Sequence, residues 1–191
     1  MEQVRIGEEL FREGLRLAEY FRRVPRTRAQ QETRYEEEPG PGTLAHFRSL
    51  KAPCRVVVLT QEGCPDSAWA VPRILRLLDE APGCEWRVFF REEHPELQEM
   101  LIVNGKRQVP VVAPLDEEGR ILAIWGPRPR PIQRFVEASV GRVERTEWYP
   151  KVLAYYQGDG LGDLYAEMRA LFPAGRARSG ERDEAADLRE Q

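Results

Sequence analysis

Cysteine is scarce, with three in 191 residues. That is too few for a dense disulfide framework, and the odd count leaves at least one thiol unpaired or joined to another molecule. Histidine is scarcer: His46 and His94 stand alone, and no C-x-x-C or H-x-x-x-H pair supplies the spacing of a zinc site. His94-Pro95 reads as a helix start instead. Charge of one sign is also missing, since 29 basic side chains are interspersed with 32 acidic ones for a net charge of −3. A binder of nucleic acid that works by neutralising phosphates needs a one-signed basic surface, so no nucleic-acid partner is expected. No run approaches the ~20 consecutive apolar residues that cross a bilayer, so no membrane partner is expected either. Lysine is nearly absent, at Lys51, Lys106 and Lys151 only, a compositional bias without functional content. Met1 to Tyr20 has no apolar core region and carries Glu2, Arg5, Glu8, Glu9, Arg12, Glu13, Arg16 and Glu19. It does not read as an export signal, and a cytoplasmic, reducing compartment is the expectation.

What is present has the order of a small α/β domain with appendages, as the length suggests. Leu10, Leu17, Phe21 and Val24 recur at helical spacing, which predicts one helix from Glu2 to Val24 ended by Pro25. Arg26 to Gly42 is polar and closes on Pro39-Gly40-Pro41-Gly42, the pattern of a linker. Thr43 to Leu50 reads as a short helix with Thr43 as N-cap. Cys54 to Thr60 is a β-branched run typical of a strand buried on both faces. Pro65 to Asp79 is a helix with Ala68, Val71, Ile74, Leu75 and Leu78 inward, and Cys84 to Phe90 is a second strand parallel to the first. Pro95 to Val103 is helical, and Val109 to Leu115 and Arg120 to Trp125 form a hairpin around Asp116-Glu117-Glu118-Gly119. Pro129 to Arg145 returns to helix, Thr146 to Phe172 is aromatic and helical, and Pro173 to Gln191 reads as a disordered tail. The division expected is 1–42 for the N-terminal helix and linker, 43–145 for the central domain, 146–172 for a C-terminal helical extension and 173–191 for the tail.

Gly63-Cys64-Pro65-Asp66-Ser67 is the stretch most suggestive of chemistry, because it joins the first strand to the following helix. A cysteine at a helix N-cap meets unpaired backbone N–H groups and the positive end of the macrodipole, both of which favour a thiolate. Pro65 suits the first helical position, where its missing N–H has no intrahelical partner to lose. Ser67 stands where its hydroxyl reaches the sulfur as a donor, while Asp66 places a second negative charge nearby and opposes the thiolate. The plain alternative is that Cys64 is a small buried hydrophobe at a turn. Neither a G-x-G-x-x-G nor a G-x-x-x-x-G-K-[ST] pattern occupies this turn, so nucleotide binding is not indicated and no cofactor or metal is expected.

The strand, the C-P-D-S turn, the helix, and Gln108-Val109-Pro110-Val111-Val112 before a hairpin resemble the thioredoxin fold. More narrowly, the chain resembles bacterial thioredoxin-family proteins with a W-C-G-D type motif, a W-G-P-R-P-like segment, here Trp125 to Pro129, and a tyrosine-bearing C-terminal helix. The resemblance covers about Cys54 to Val136 and implies a three-layer α/β/α fold with a mixed central sheet and helical extensions at both ends. It makes Cys64 the nucleophile, assisted by Ser67, and Val109-Pro110 a cis peptide facing it. Pro65, Asp66, Val109 and Pro110 would then meet the substrate, with Val109 guiding a bound peptide through its backbone. Ser67 stands where a dithiol motif has its resolving cysteine, Gly63 stands where an aromatic is usual, and the strand from Arg55 to Thr60 offers no carboxylate.

These departures point to chemistry by one thiol or to lost chemistry. In the first case Cys64 takes over the adduct of a protein mixed disulfide and is released by a second low-molecular-weight thiol or a thioredoxin-type reductant. In the second the chain is a non-catalytic interaction module of thioredoxin fold. A third reading has Cys64 oxidised to sulfenic acid and capped by a small thiol, as in a sensor. Cys54 and Cys84 begin parallel strands at the sheet end remote from Cys64, where they approach each other or stay as two reduced structural thiols. Trp148, Tyr149, Tyr155, Tyr156 and Tyr165 read as a surface that docks on the body, and Arg128-Pro129-Arg130 as cations offered to an anionic thiol substrate or a solvated turn.

Overall fold

Every residue from Val56 to Thr60 is buried, because β1 (Cys54–Thr60) is the middle strand of the sheet. The computed structural model describes residues 4–50 and 54–174. Among these, β2 (Cys84–Phe90) pairs parallel to β1, with Cys54 opposite Cys84 and Thr60 opposite Phe90. On the other side β3 (Val111–Leu115) runs antiparallel, with Leu59 opposite Val111 and Arg55 opposite Leu115. The result is a mixed sheet of order β2-β1-β3.

Side chains alternate across the pleat, so each strand feeds two cores. Val56, Val58, Val88 and Val112 join Tyr20, Phe47, Ile74, Leu164 and Met168 on one face. Val57, Leu59, Phe89, Val111 and Ala113 join Ile6, Phe11, Leu97 and Leu101 on the other. Burying one valine is worth roughly 1.5–3 kcal/mol, and a register slip of one residue would exchange the two sets. The fold is therefore a mixed α/β layered structure, as expected.

The first core is roofed by α5 (Pro65–Asp79), which carries Pro72 in its interior. A proline there cannot donate to the carbonyl four residues back, which belongs to Ala68. Arg34 donates to that carbonyl at 2.8 Å, and Arg73 donates to the next one, of Trp69, at 2.7 Å. Arg34 lies on α3 (Arg28–Glu36), within the stretch read from sequence as a linker. The helix forms because polar groups hold it on α5: Arg73 pairs with Glu37 at 2.6 Å, and the Tyr35 hydroxyl donates to Asp79.

The single N-terminal helix expected from the apolar stripe is two, α1 (Glu8–Glu13) and α2 (Leu17–Arg23). Between them Leu15 exchanges backbone hydrogen bonds with Val88 on the edge of β2, at 2.8 and 2.9 Å. Gly14 permits the approach, since a Cβ there would lie 2.5 Å from the Cβ of Arg87 and from the ring of Phe89. The next helix, α4 (Pro41–Arg48), starts from Gly40, with Thr43 inside it and not at its cap.

After α6 (Pro95–Met100) and β3, the hairpin is less regular than expected. Asp116 accepts from the amides of Glu118 and Arg120, at 3.0 and 2.8 Å, and closes the turn. The return run pairs only through isolated bridges, Leu115 with Ile121 and Val112 with Trp125. Pro114 accepts from the amide of Leu122 at 2.9 Å but has no N–H to return, which interrupts the ladder. Then α7 (Arg130–Ser139) ends before Gly141, whose φ is +78°. The aromatic segment forms two helices, α8 (Arg145–Gln157) and α9 (Gly160–Leu171), divided at Gly158. The expected tail lies outside the described residues from position 175 onward. No helix among the described residues is long and apolar enough to cross a membrane.

Candidate active site

Cys64 is the N-cap of α5, half-buried, with Pro65 at the first helical position and exposed beside it. The backbone N–H of Ser67 points at the Cys64 sulfur from 3.5 Å. This corrects the expectation for the Ser67 hydroxyl, whose oxygen is buried without a hydrogen-bond partner among the described residues. At an N-cap the amide two or three residues on is aimed at the capping atom by the helix itself. A hydroxyl at that position is free to rotate away, and here it faces into the core.

Across from the sulfur, the Val109-Pro110 peptide bond is cis, as the resemblance implied. The Cys64 thiol donates to the Val109 carbonyl at 3.7 Å. Both Val109 and Pro110 are buried, and the Trp125–Arg128 segment packs behind them. Gly126 has φ +142°, and a Cβ on it would sit 2.2 Å from the Pro110 carbonyl oxygen. Only glycine lets the two stretches touch.

Asp66 is not at the surface. Its exposure is 6%, and its carboxylate turns inward, where Arg128 Nη2 lies 2.5 Å from Oδ2. The Tyr156 hydroxyl, from α8, donates to Oδ1 of the same carboxylate. Asp66 is thus turned into the protein and held there, where the resemblance implied a substrate contact. Arg128 is correspondingly neither a free cation nor a solvated turn residue; it also donates to Gln133 at 3.0 Å. Tyr156 stacks on Trp69 with ring centroids 4.2 Å apart and planes 15° from parallel, and the Trp69 indole N–H donates to the Tyr156 carbonyl at 3.2 Å. Burial, then the Asp66 charge, push the Tyr156 phenol far above its ordinary range, so it stays a donor.

The geometry brings Cys64, Ser67, Val109 and Pro110 into one place. A profile for thioredoxin matches residues 15–144. The chain belongs to the thioredoxin family. Two solved structures have a similar fold. One is a protein of unknown function from Pseudomonas aeruginosa, at 20% identity, covering 85% of this chain and 94% of that one with a TM-score of 0.61. The other is an HIV epitope-scaffold, also at 20% identity and with the same coverage, at a TM-score of 0.60. No curated protein matches.

In this thioredoxin-family chain the matched stretch stops before α8, yet Tyr156 reaches back to the turn that holds Cys64. The sequence placed the tyrosines as a docking surface, which the Trp69 stack satisfies, but not the bond to Asp66. The sequence carried no signal for the Asp66–Arg128 pair, whose members lie on separate segments of the chain. Among the described residues no cluster of His, Cys, Asp or Glu is arranged to hold a metal ion.

Proposed function

We propose that the protein catalyses thiol–disulfide exchange through the single thiol of Cys64, acting on mixed disulfides between proteins and low-molecular-weight thiols. The observation that carries this reading is the placement of the Cys64 sulfur, at the N-terminus of a 15-residue helix, under the Ser67 amide and against the Val109 carbonyl. Helix-terminal N–H groups stabilise negative charge on a capping atom, and sulfur is the leaving and attacking atom in exchange. Family membership supports redox chemistry at this turn, and Ser67 in place of a second cysteine supports the one-thiol form.

Each step conserves electrons. The Cys64 thiolate attacks the small-thiol sulfur of a protein mixed disulfide, the bond to the protein sulfur breaks, and that sulfur leaves as a thiolate and takes a proton. A second small thiol, as its thiolate, attacks the adduct and leaves as the small disulfide, returning the Cys64 thiolate. The Val109 carbonyl holds the resting thiol, and its hydrogen bond is given up when the sulfur turns outward to exposed Pro65 and the substrate. A reducing cytoplasm, with a small thiol or a thioredoxin-type protein as reductant, is the setting this chemistry requires.

The test is reduction of a glutathionylated peptide by reduced glutathione. The wild-type chain should accelerate it, and Cys64→Ser should return it to the uncatalysed rate. Equal rates for the two proteins would refute catalysis and favour the interaction module. Rapid reaction of Cys64 with peroxide, without turnover of the peptide, would favour the sensor.

A further inference from the structure

Two thiols take no part in that chemistry. Cys54 and Cys84 are the first residues of β1 and β2 and face each other in the parallel register. Their sulfurs are 2.9 Å apart and both are free. We propose that this pair is a second redox site, a dithiol that closes reversibly to a disulfide at the end of the sheet opposite Cys64.

Neighbouring strands lie about 4.8 Å apart, inside the Cα separation of roughly 4.4–6.8 Å that a disulfide spans. Closing the pair requires the sulfurs to come from 2.9 Å to the ~2.05 Å of an S–S bond, a shift within the reach of side-chain rotation. Neither cysteine is sealed in the core, and Cys54 opens on a cleft shared with Arg55, Gly83, Glu85 and Leu115. The two sulfurs are not equivalent. The bond to Cys54, and then burial, push the Cys84 thiol up, while the same bond pushes Cys54 down. The more accessible of the two sulfurs, Cys54, is thus also the one that ionises first.

The oxidant is a low-molecular-weight disulfide. The Cys54 thiolate attacks one of its sulfurs, breaks the S–S bond and expels one small thiolate, which takes a proton from water. Cys84 then gives up its proton, and its sulfur attacks Cys54 Sγ and expels the second small thiolate. Two protein thiols are oxidised by two electrons, and one small disulfide becomes two small thiols. Cys64 cannot serve as either partner: the seven residues of β1, at about 3.3 Å each, put it some 20 Å away. The product encloses β1, Cys64 and α5 in one covalent loop.

The experiment uses the full chain, wild type and Cys64→Ser, incubated with oxidised glutathione, alkylated and mapped by mass spectrometry. In Cys64→Ser both remaining thiols should become resistant to alkylation together, with the Cys54 and Cys84 peptides linked, and dithiothreitol should restore both. In Cys64→Ser/Cys84→Ser, Cys54 should accumulate the glutathione adduct, because nothing resolves it. Thiols that stay open to alkylation, or a stable Cys54 adduct while Cys84 is present, would overturn the proposal. Because the background lacks Cys64, neither result bears on exchange through Cys64.

Discussion

The Tyr156 hydroxyl donates to the carboxylate of Asp66, two residues past Cys64 and ninety residues away in sequence. It ties α8 to the turn that presents the thiol. A hydrogen bond to a charged group is worth about 1.5–3 kcal/mol. Tyr156→Phe keeps the stack on Trp69 and loses that bond, so chemical denaturation should show a loss of about that size. A loss below about 0.5 kcal/mol would mean that the hydroxyl contributes only contact.

Asp66 and Arg128 form a largely buried pair, with side-chain exposures of 8% and 16%. Removing one partner of such a pair strands the other charge at a cost of about 3 kcal/mol, whereas removing both can be close to neutral. Asp66→Asn should therefore destabilise the protein more than Asp66→Asn combined with Arg128→Met. A double variant at least as unstable as the sum of its singles would contradict the pairing.

Gly126 presses on Pro110. Gly126→Ala must move one chain or the other, with an expected loss of about 2–3 kcal/mol from crowding and from a φ of +142°. The displaced Pro110 should also slow exchange at Cys64, measured with the glutathionylated peptide on protein that is still fully folded by circular dichroism. Unchanged stability and rate would detach this glycine from the site.

Tyr20 and Tyr156 are both pushed well above the ordinary 10.0, in each case first by burial. A phenol raised in the folded state adds stability that is complete below the unfolded value and is lost as pH climbs toward the folded one. Stability should hold up to about pH 10 and fall above it. In a titration followed by phenolate absorbance these two residues should ionise only with unfolding. Early ionisation of all six tyrosines would show that neither is protected.

The central strands and α5 were legible residue for residue, because a β-branched run, a proline after a cap and a glycine stop are local signals: β1, α5 and β2 have the bounds read from sequence. What was illegible depended on distant partners. α3 has no apolar stripe, and its stability comes from Arg34 and Tyr35 meeting α5. The break at Gly14 serves a strand edge more than seventy residues away in sequence. At the site, the sequence pointed to Cys64, and only the family resemblance pointed to the Val109-Pro110 pair; the donor was assigned to the Ser67 hydroxyl, since rotamers leave no trace in spacing. Arg128 looked like a surface cation because its carboxylate lies 62 positions earlier.

Leu15 on β2 and the Ile121 to Trp125 run beside β3 mean that chain from the same molecule sits along both margins of the sheet. The backbone groups of Val88 and Val112 and the carbonyl of Pro114 already have partners there, so a foreign peptide cannot add itself along the full length of either edge. Self-association by edge pairing is disfavoured for the same reason. A protein substrate would instead approach end-on, over the turn that carries Cys64, presenting a loop and not a strand.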